Sequence, residues 1–128
     1  PDSMLRSGKQ MSSGDMIETE YQDKLVIIRL KMPQIDMFNV TELIESFKEI
    51  IDKQLPNIIL DMSATGFIDS SGMGGLIRIH QQIKQYEGNF MITGLNPKVA
   101  NLMRLTRSTK YLNCFDSLED ALQEVRAS

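Results

Sequence analysis

The chain has one cysteine, Cys114, so it cannot form an internal disulfide. The apolar setting of Cys114, from Leu112 to Phe115, suggests a buried thiol instead. There is also one histidine, His80, and a single His far from a single Cys does not make a zinc site. No apolar run approaches the ~20 residues needed to span a bilayer, and the N-terminus has no signal-peptide apolar region. No membrane insertion is expected, and the cytoplasm is the simplest compartment. Basic residues are neither abundant nor clustered: 14 Lys and Arg stand against 17 Asp and Glu, for a formal charge of −3. That gives no support to direct nucleic-acid binding.

Several catalytic signatures are missing as well. No Gly-x-x-x-x-Gly-Lys spacing marks a phosphate loop. Gly72 and Gly74 begin a dinucleotide fingerprint, but Ile77 stands where its third glycine belongs. Gly-x-Ser-x-Gly is absent around Ser70 and Ser71. His80 lies nine residues beyond Ser71; at ~1.5 Å per helical residue it is over ~10 Å away, too far for a general base. It reads as a half-buried helix histidine. Asp36, Asp61 and Asp69 could in principle gather around magnesium. They read more simply as a loop residue, a strand end and a helix cap. No cofactor or metal is expected.

The remaining composition is that of one globular domain: 128 residues, 41% apolar and 24% charged, long enough to bury a core. Residues 1–15 are polar and rich in Ser and Gly. They read as a flexible tail or a cloning remnant, with Met4 or Met11 available as a native start. From residue 16 the pattern is regular. Segments 17–21 and 24–30 read as two strands, and the unbroken run Leu25-Val26-Ile27-Ile28 suggests burial on both faces. Asn39 and Glu42 form a capping-box pattern ahead of one apolar stripe, Val40, Leu43, Ile44, Phe47, Ile50 and Ile51.

Residues 57–62 read as a central strand, 63–71 as a loop, and 73–86 as an amphipathic helix stopped at Gly88. Residues 90–93 follow as a strand. Asn96-Pro97 starts a short helix with Val99, Leu102 and Met103 inward. Residues 111–115 read as a short strand, and Ser117 with Asp120 as a capping box opening the last helix. The order β-β-α-β-α-β-α-β-α predicts an α/β fold with a mixed, mostly parallel sheet of four to five strands and about four helices.

The most informative run is Ile68-Asp69-Ser70-Ser71-Gly72-Met73-Gly74-Gly75, which places two hydroxyls and three glycines where a helix begins. Amide groups at a helix start lack internal partners and favour an anion. Asp69, Ser70 or Ser71 would serve as the cap. Either serine would also serve as a phosphoacceptor, adding about −1.5 to −2 charges at pH 7. Phe67, Ile68 and Met73 would supply apolar contact surface beside it, where the charge would weaken docking of an apolar or acidic partner. The helix-start argument does not choose between the serines.

Residues Ile58-Ile59-Leu60-Asp61-Met62, then Phe67-Ile68-Asp69-Ser70-Ser71-Gly72-Met73-Gly74, resemble the STAS domain of bacterial anti-sigma factor antagonists. The hallmark is a hydrophobic strand, a short loop, and Asp-Ser-(Ser/Ala)-Gly-(Leu/Met)-Gly. The likeness extends over about residues 16–126, with Asp36 at a characteristic aspartate, and sets the domain at 16–128. It implies a mixed sheet with helices packed mainly on one side. It also implies a binding protein, not an enzyme. Ser70 would be the phosphoacceptor; Asp69, Ser71, Gly72, Met73 and Gly74 would shape the phosphorylation loop and helix start; Asp36 would lie in the neighbouring loop of the partner surface. The implied partners are an anti-sigma factor that is also a serine kinase, and a PP2C-type phosphatase that reverses it. The unphosphorylated form would bind the anti-sigma factor, free a sigma factor and so regulate transcription. Related domains serve stressosomes, lipid-transport complexes and anion-transporter tails, which is the alternative role. Here Met32-Pro33-Gln34-Ile35-Asp36 replaces a turn that often carries glycine in the family. Met37-Phe38 stands where more polar residues are common, implying a stiffer turn and a more apolar surface.

Overall fold

A computed structural model describes residues 9–12 and 16–127. The strands are β1 (Lys9–Ser12), β2 (Ile17–Gln22), β3 (Leu25–Leu30), β4 (Gln34–Ile35), β5 (Asn57–Asp61), β6 (Phe67–Ile68), β7 (Asn89–Thr93) and β8 (Asn113–Cys114). The helices are α1 (Val40–Ser46), α2 (Lys48–Asp52), α3 (Ser70–Gln85), α4 (Pro97–Leu105) and α5 (Leu118–Ala127), with a 3₁₀ turn at Ser108–Lys110. The main sheet has six strands in the order β1-β2-β3-β5-β7-β8. β1, β2 and β3 pair antiparallel, and β3, β5, β7 and β8 pair parallel. Five of these strands match the order read from residue 16 onward. The sixth, β1, lies inside the segment read as a tail and pairs along β2 from Lys9↔Glu20 to Ser12↔Ile17. The rest of that segment lies outside the described residues. Among the described residues no helix is long and apolar enough to cross a membrane.

Burial follows the sheet's two faces. Val26, Ile28, Ile58, Leu60, Phe90 and Ile92 form one core with the inward residues of α1 to α4. Leu25, Ile27, Ile59 and Met91 face the other way, onto Ala121 of α5. All four residues of the Leu25-Val26-Ile27-Ile28 run are therefore buried, as their unbroken apolar pattern implied. Four helices share one face and α5 covers the opposite one.

Two local expectations are corrected. The stripe from Val40 to Ile51 is two helices, not one. Ser46 Oγ donates to the Leu43 carbonyl at 2.6 Å, and the Phe47 amide bonds Ile44, three residues back, so the helix tightens and breaks there. Leu43, Phe47 and Ile50 still point inward, and Phe47 meets Phe90 edge to face at 6.0 Å. Nor does Asn39 cap α1. Its side chain turns back, accepting from the Asp36 amide at 2.9 Å and donating to the Gln34 carbonyl at 3.0 Å. The caps at Asn96, which accepts from Val99, and Ser117, which accepts from Asp120, form as read.

The end of α3 carries a stored cost. The Gly88 amide bonds Ile83 and the Glu87 amide bonds Lys84, the paired bonds of a left-handed helix stop. The left-handed residue is Glu87, at φ 67°, not the neighbouring Gly88. Gly88 is needed for a different reason: a Cβ there would sit 2.7 Å from the Tyr86 ring. Glu87→Gly is therefore expected to raise the unfolding free energy by up to about 1 kcal/mol, read as an increase in urea midpoint at unchanged slope.

Candidate functional site

The site is built by the small two-stranded sheet. β4 and β6 pair in parallel, Gln34↔Phe67 and Ile35↔Ile68, so the residues that follow them, Asp36 and Asp69, emerge from adjacent strands. The Thr65 hydroxyl, buried, donates to the Met32 carbonyl at 2.7 Å. The Gly66 amide donates to Pro33, and the Asp69 amide to Ile35. This backbone lacing fixes where α3 starts.

Asp69 is the N-cap of α3. One carboxylate oxygen accepts from the Gly72 amide at 2.9 Å, and the other from the Met37 amide at 3.2 Å. It thus ties the helix start to the loop after β4. Asp36 accepts from the Phe38 amide and from Gln34 Nε2. Asp61 accepts from the Ser63 amide. Asp36 and Asp61 thus serve their own loops, whereas Asp69 bridges two.

Ser70 is the first residue of α3 and is exposed; Ser71, the second, is half-buried. The glycines differ sharply. A Cβ on Gly72 would lie 2.7 Å from the Ile35 carbonyl oxygen, and one on Gly75 would strike the Val40 side chain. These two let α3 settle onto β4 and α1. Gly74 has open space where its Cβ would be.

Ser70 lines a groove of about 270 Å³ between α3 and α4, together with Asp69, Met73, Gly74, Ile77, Leu102 and Thr106. Large apolar side chains lie exposed near it in the fold: Met37 (64% exposed), Phe38 (85%), Phe67 (54%) and Leu105 (71%). α4 packs against β6, which carries Phe67. The expectation that Ile68 and Met73 form contact surface needs correction. Ile68 is 1% exposed and Met73 5%, because both face the main core; Met73 only closes the groove floor. Leu102, read as inward, is half-buried and lines the groove. Reading the sequence missed Thr106 and Leu105, whose place depends on where α4 packs.

His80 is half-buried in α3, with its ring centroid 6.4 Å from that of Phe90 and its shielded Nδ1 unpaired. Burial, and secondarily Lys84, lower its pKa. Cys114 is only half-buried, with Sγ 4.0 Å from Met103 Sδ, and burial raises its thiol pKa. Neither residue lines the groove at Ser70. The chemistry available at the groove is that of an accessible hydroxyl beside an apolar surface.

The profile of the STAS domain matches residues 16–121. A Thermotoga maritima protein provisionally named an anti-sigma factor antagonist is 30% identical over 80 residues, 62% of this chain and 71% of that protein. The anti-sigma F factor antagonist of Paenibacillus polymyxa is 27% identical over 110 residues, covering 85% and 93%. The crystal structure of an anti-sigma factor antagonist from Mycobacterium paratuberculosis superposes with a TM-score of 0.74 at 25% identity, covering 91% of this chain and 99% of that one. With the sheet order and the Asp69–Gly74 helix start already in place, this match means that the chain belongs to the STAS domain family.

Proposed function

We propose that this protein is an anti-sigma factor antagonist that acts by binding and is switched by phosphorylation of Ser70. The observation that carries the reading is that Ser70 is exposed and lines an apolar groove. The names of the Thermotoga, Paenibacillus and Mycobacterium relatives supply the partner class. Unphosphorylated, the groove and the apolar side chains near it bind the anti-sigma factor, and a sigma factor is released. The anti-sigma factor, acting as a serine kinase, then places about two negative charges at Ser70. Asp69, already holding the Gly72 amide, leaves the phosphate little compensation and adds repulsion. The docking face becomes anionic, and binding weakens without the domain refolding. A PP2C-type phosphatase restores the binding form. The exchange takes place in the cytoplasm.

The test is phosphorylation by the kinase recovered with the protein from its native cell. Intact mass is expected to rise by one phosphate in wild type and Ser71→Ala, and not at all in Ser70→Ala. The Ser70→Ala protein retains anti-sigma binding, and Ser70→Asp loses most of it. Full phosphorylation of Ser70→Ala would overturn the assignment.

A further inference from the structure

The two helices that wall the groove, α3 and α4, contain no carboxylate, in a chain whose formal charge is −3; the one carboxylate lining the groove, Asp69 at the cap of α3, is engaged by the Gly72 and Met37 amides. Their cations are Arg78 and Lys84 on α3, and Lys98 and Arg104 on α4. Helical spacing puts Arg78 one turn beyond the groove residue Gly74, and Lys98 one turn before the groove residue Leu102. Both are exposed. Among the described residues the ion pairs are Arg29–Glu20, Lys53–Glu49 and Arg126–Glu119, so Arg78 and Lys98 have no acidic partner within them. Leu105, one turn from Leu102, continues the apolar floor outward.

We propose that the α3–α4 groove receives an acidic amphipathic helix of the partner. Its apolar stripe lies between Ile77 and Leu102, and its flanking carboxylates meet Arg78 and Lys98. This deepens the reading of Ser70 as a switch and rests on it. The direction of the switch supplies a second argument. A phosphate in the groove would attract a basic segment and strengthen docking, whereas it repels an acidic one. An off-switch at Ser70 therefore requires an acidic or neutral occupant, and the unpaired cations select the acidic one. A mostly apolar groove of about 270 Å³ between two helices suits anchors spaced i, i+3 and i+4 on a helix.

The test uses a synthetic, fluorescein-labelled helical peptide of about three turns, with leucines at i, i+3, i+4 and i+7 and glutamates on both flanks. Binding is expected to shift the amide resonances of residues 70–77 and 98–106. Arg78→Glu combined with Lys98→Glu is expected to weaken it about tenfold, while Lys48→Glu on α2 leaves it unchanged. All three positions are exposed, so folding is retained and checked by thermal unfolding. Phosphoserine installed at position 70 weakens binding as well. The proposal is overturned if a lysine-flanked version of the peptide binds equally well, or if the shifts fall elsewhere. It is also overturned if phosphatidylglycerol vesicles bind this face while the peptide does not. Failure of the peptide alongside normal phosphorylation of Ser70 would remove the acidic helix and leave the acceptor assignment standing.

Discussion

An Asp69→Ala protein is expected to unfold with about 2 kcal/mol less free energy than wild type. Two backbone amides lose their acceptor at once: Gly72 in the first turn of α3 and Met37 in the loop after β4. The cap alone is typically worth ~1 kcal/mol. The second bond spans 32 residues of sequence and is the link that holds the Met37-Phe38 loop to the helix start. Amide exchange should therefore accelerate at Met37 as well as at Gly72, a pairing that loss of a cap alone does not produce. Asp69→Asn keeps one oxygen acceptor and is expected to recover about half of the loss. Chemical denaturation of the three proteins measures the series, and unchanged exchange at Met37 would show that the loop is held by something else.

The second large effect comes from a single methyl group placed at two positions on one helix. Gly72→Ala is expected to destabilise by about 2–3 kcal/mol, because its Cβ meets the Ile35 carbonyl oxygen, a backbone atom that cannot rotate away. Gly74→Ala gains helix propensity with nothing within 4 Å to oppose it, and is expected to stabilise by about 0.5–1 kcal/mol. At roughly 3 °C per kcal/mol for a domain of this size, the two melting temperatures separate by about 10 °C. Equal melting temperatures would mean that α3 does not sit as closely on β4 as the structure places it. Gly74→Ala also adds a methyl group to the groove wall, so its binding measured beside its stability separates packing from recognition.

The main sheet was legible because β3, β5 and β7 are long enough to show their burial in sequence. The starts of α4 and α5 were legible because Asn96-Pro97 and Ser117 to Asp120 carry local hydrogen-bond chemistry. β4 and β6 were not, since two residues show no periodicity and their pairing joins positions 33 apart. That pairing is what sets Asp36 and Asp69 on neighbouring strands, so their proximity entered through the family resemblance and not through spacing. Asn39 shows the opposite failure. Its local pattern matched a capping box, but the loop after β4 offered its side chain the Asp36 amide and Gln34 carbonyl instead. The groove itself lies between helices separated by a strand, and no local signal marks Leu102 and Thr106 as facing Ser70. The apolar character of Met37-Phe38 was visible in the sequence, and both side chains are exposed.

A helix start favours either hydroxyl, the resemblance implies Ser70, and Ser70 is exposed where Ser71 is half-buried. The most direct measurement is calorimetric titration of the anti-sigma factor, recovered from the native cell, into the unphosphorylated protein and into protein carrying phosphoserine at position 70. The phosphoserine form is expected to bind about a hundredfold more weakly, with the same thermal stability in the free state. Equal affinities for the two forms would contradict the switch at Ser70.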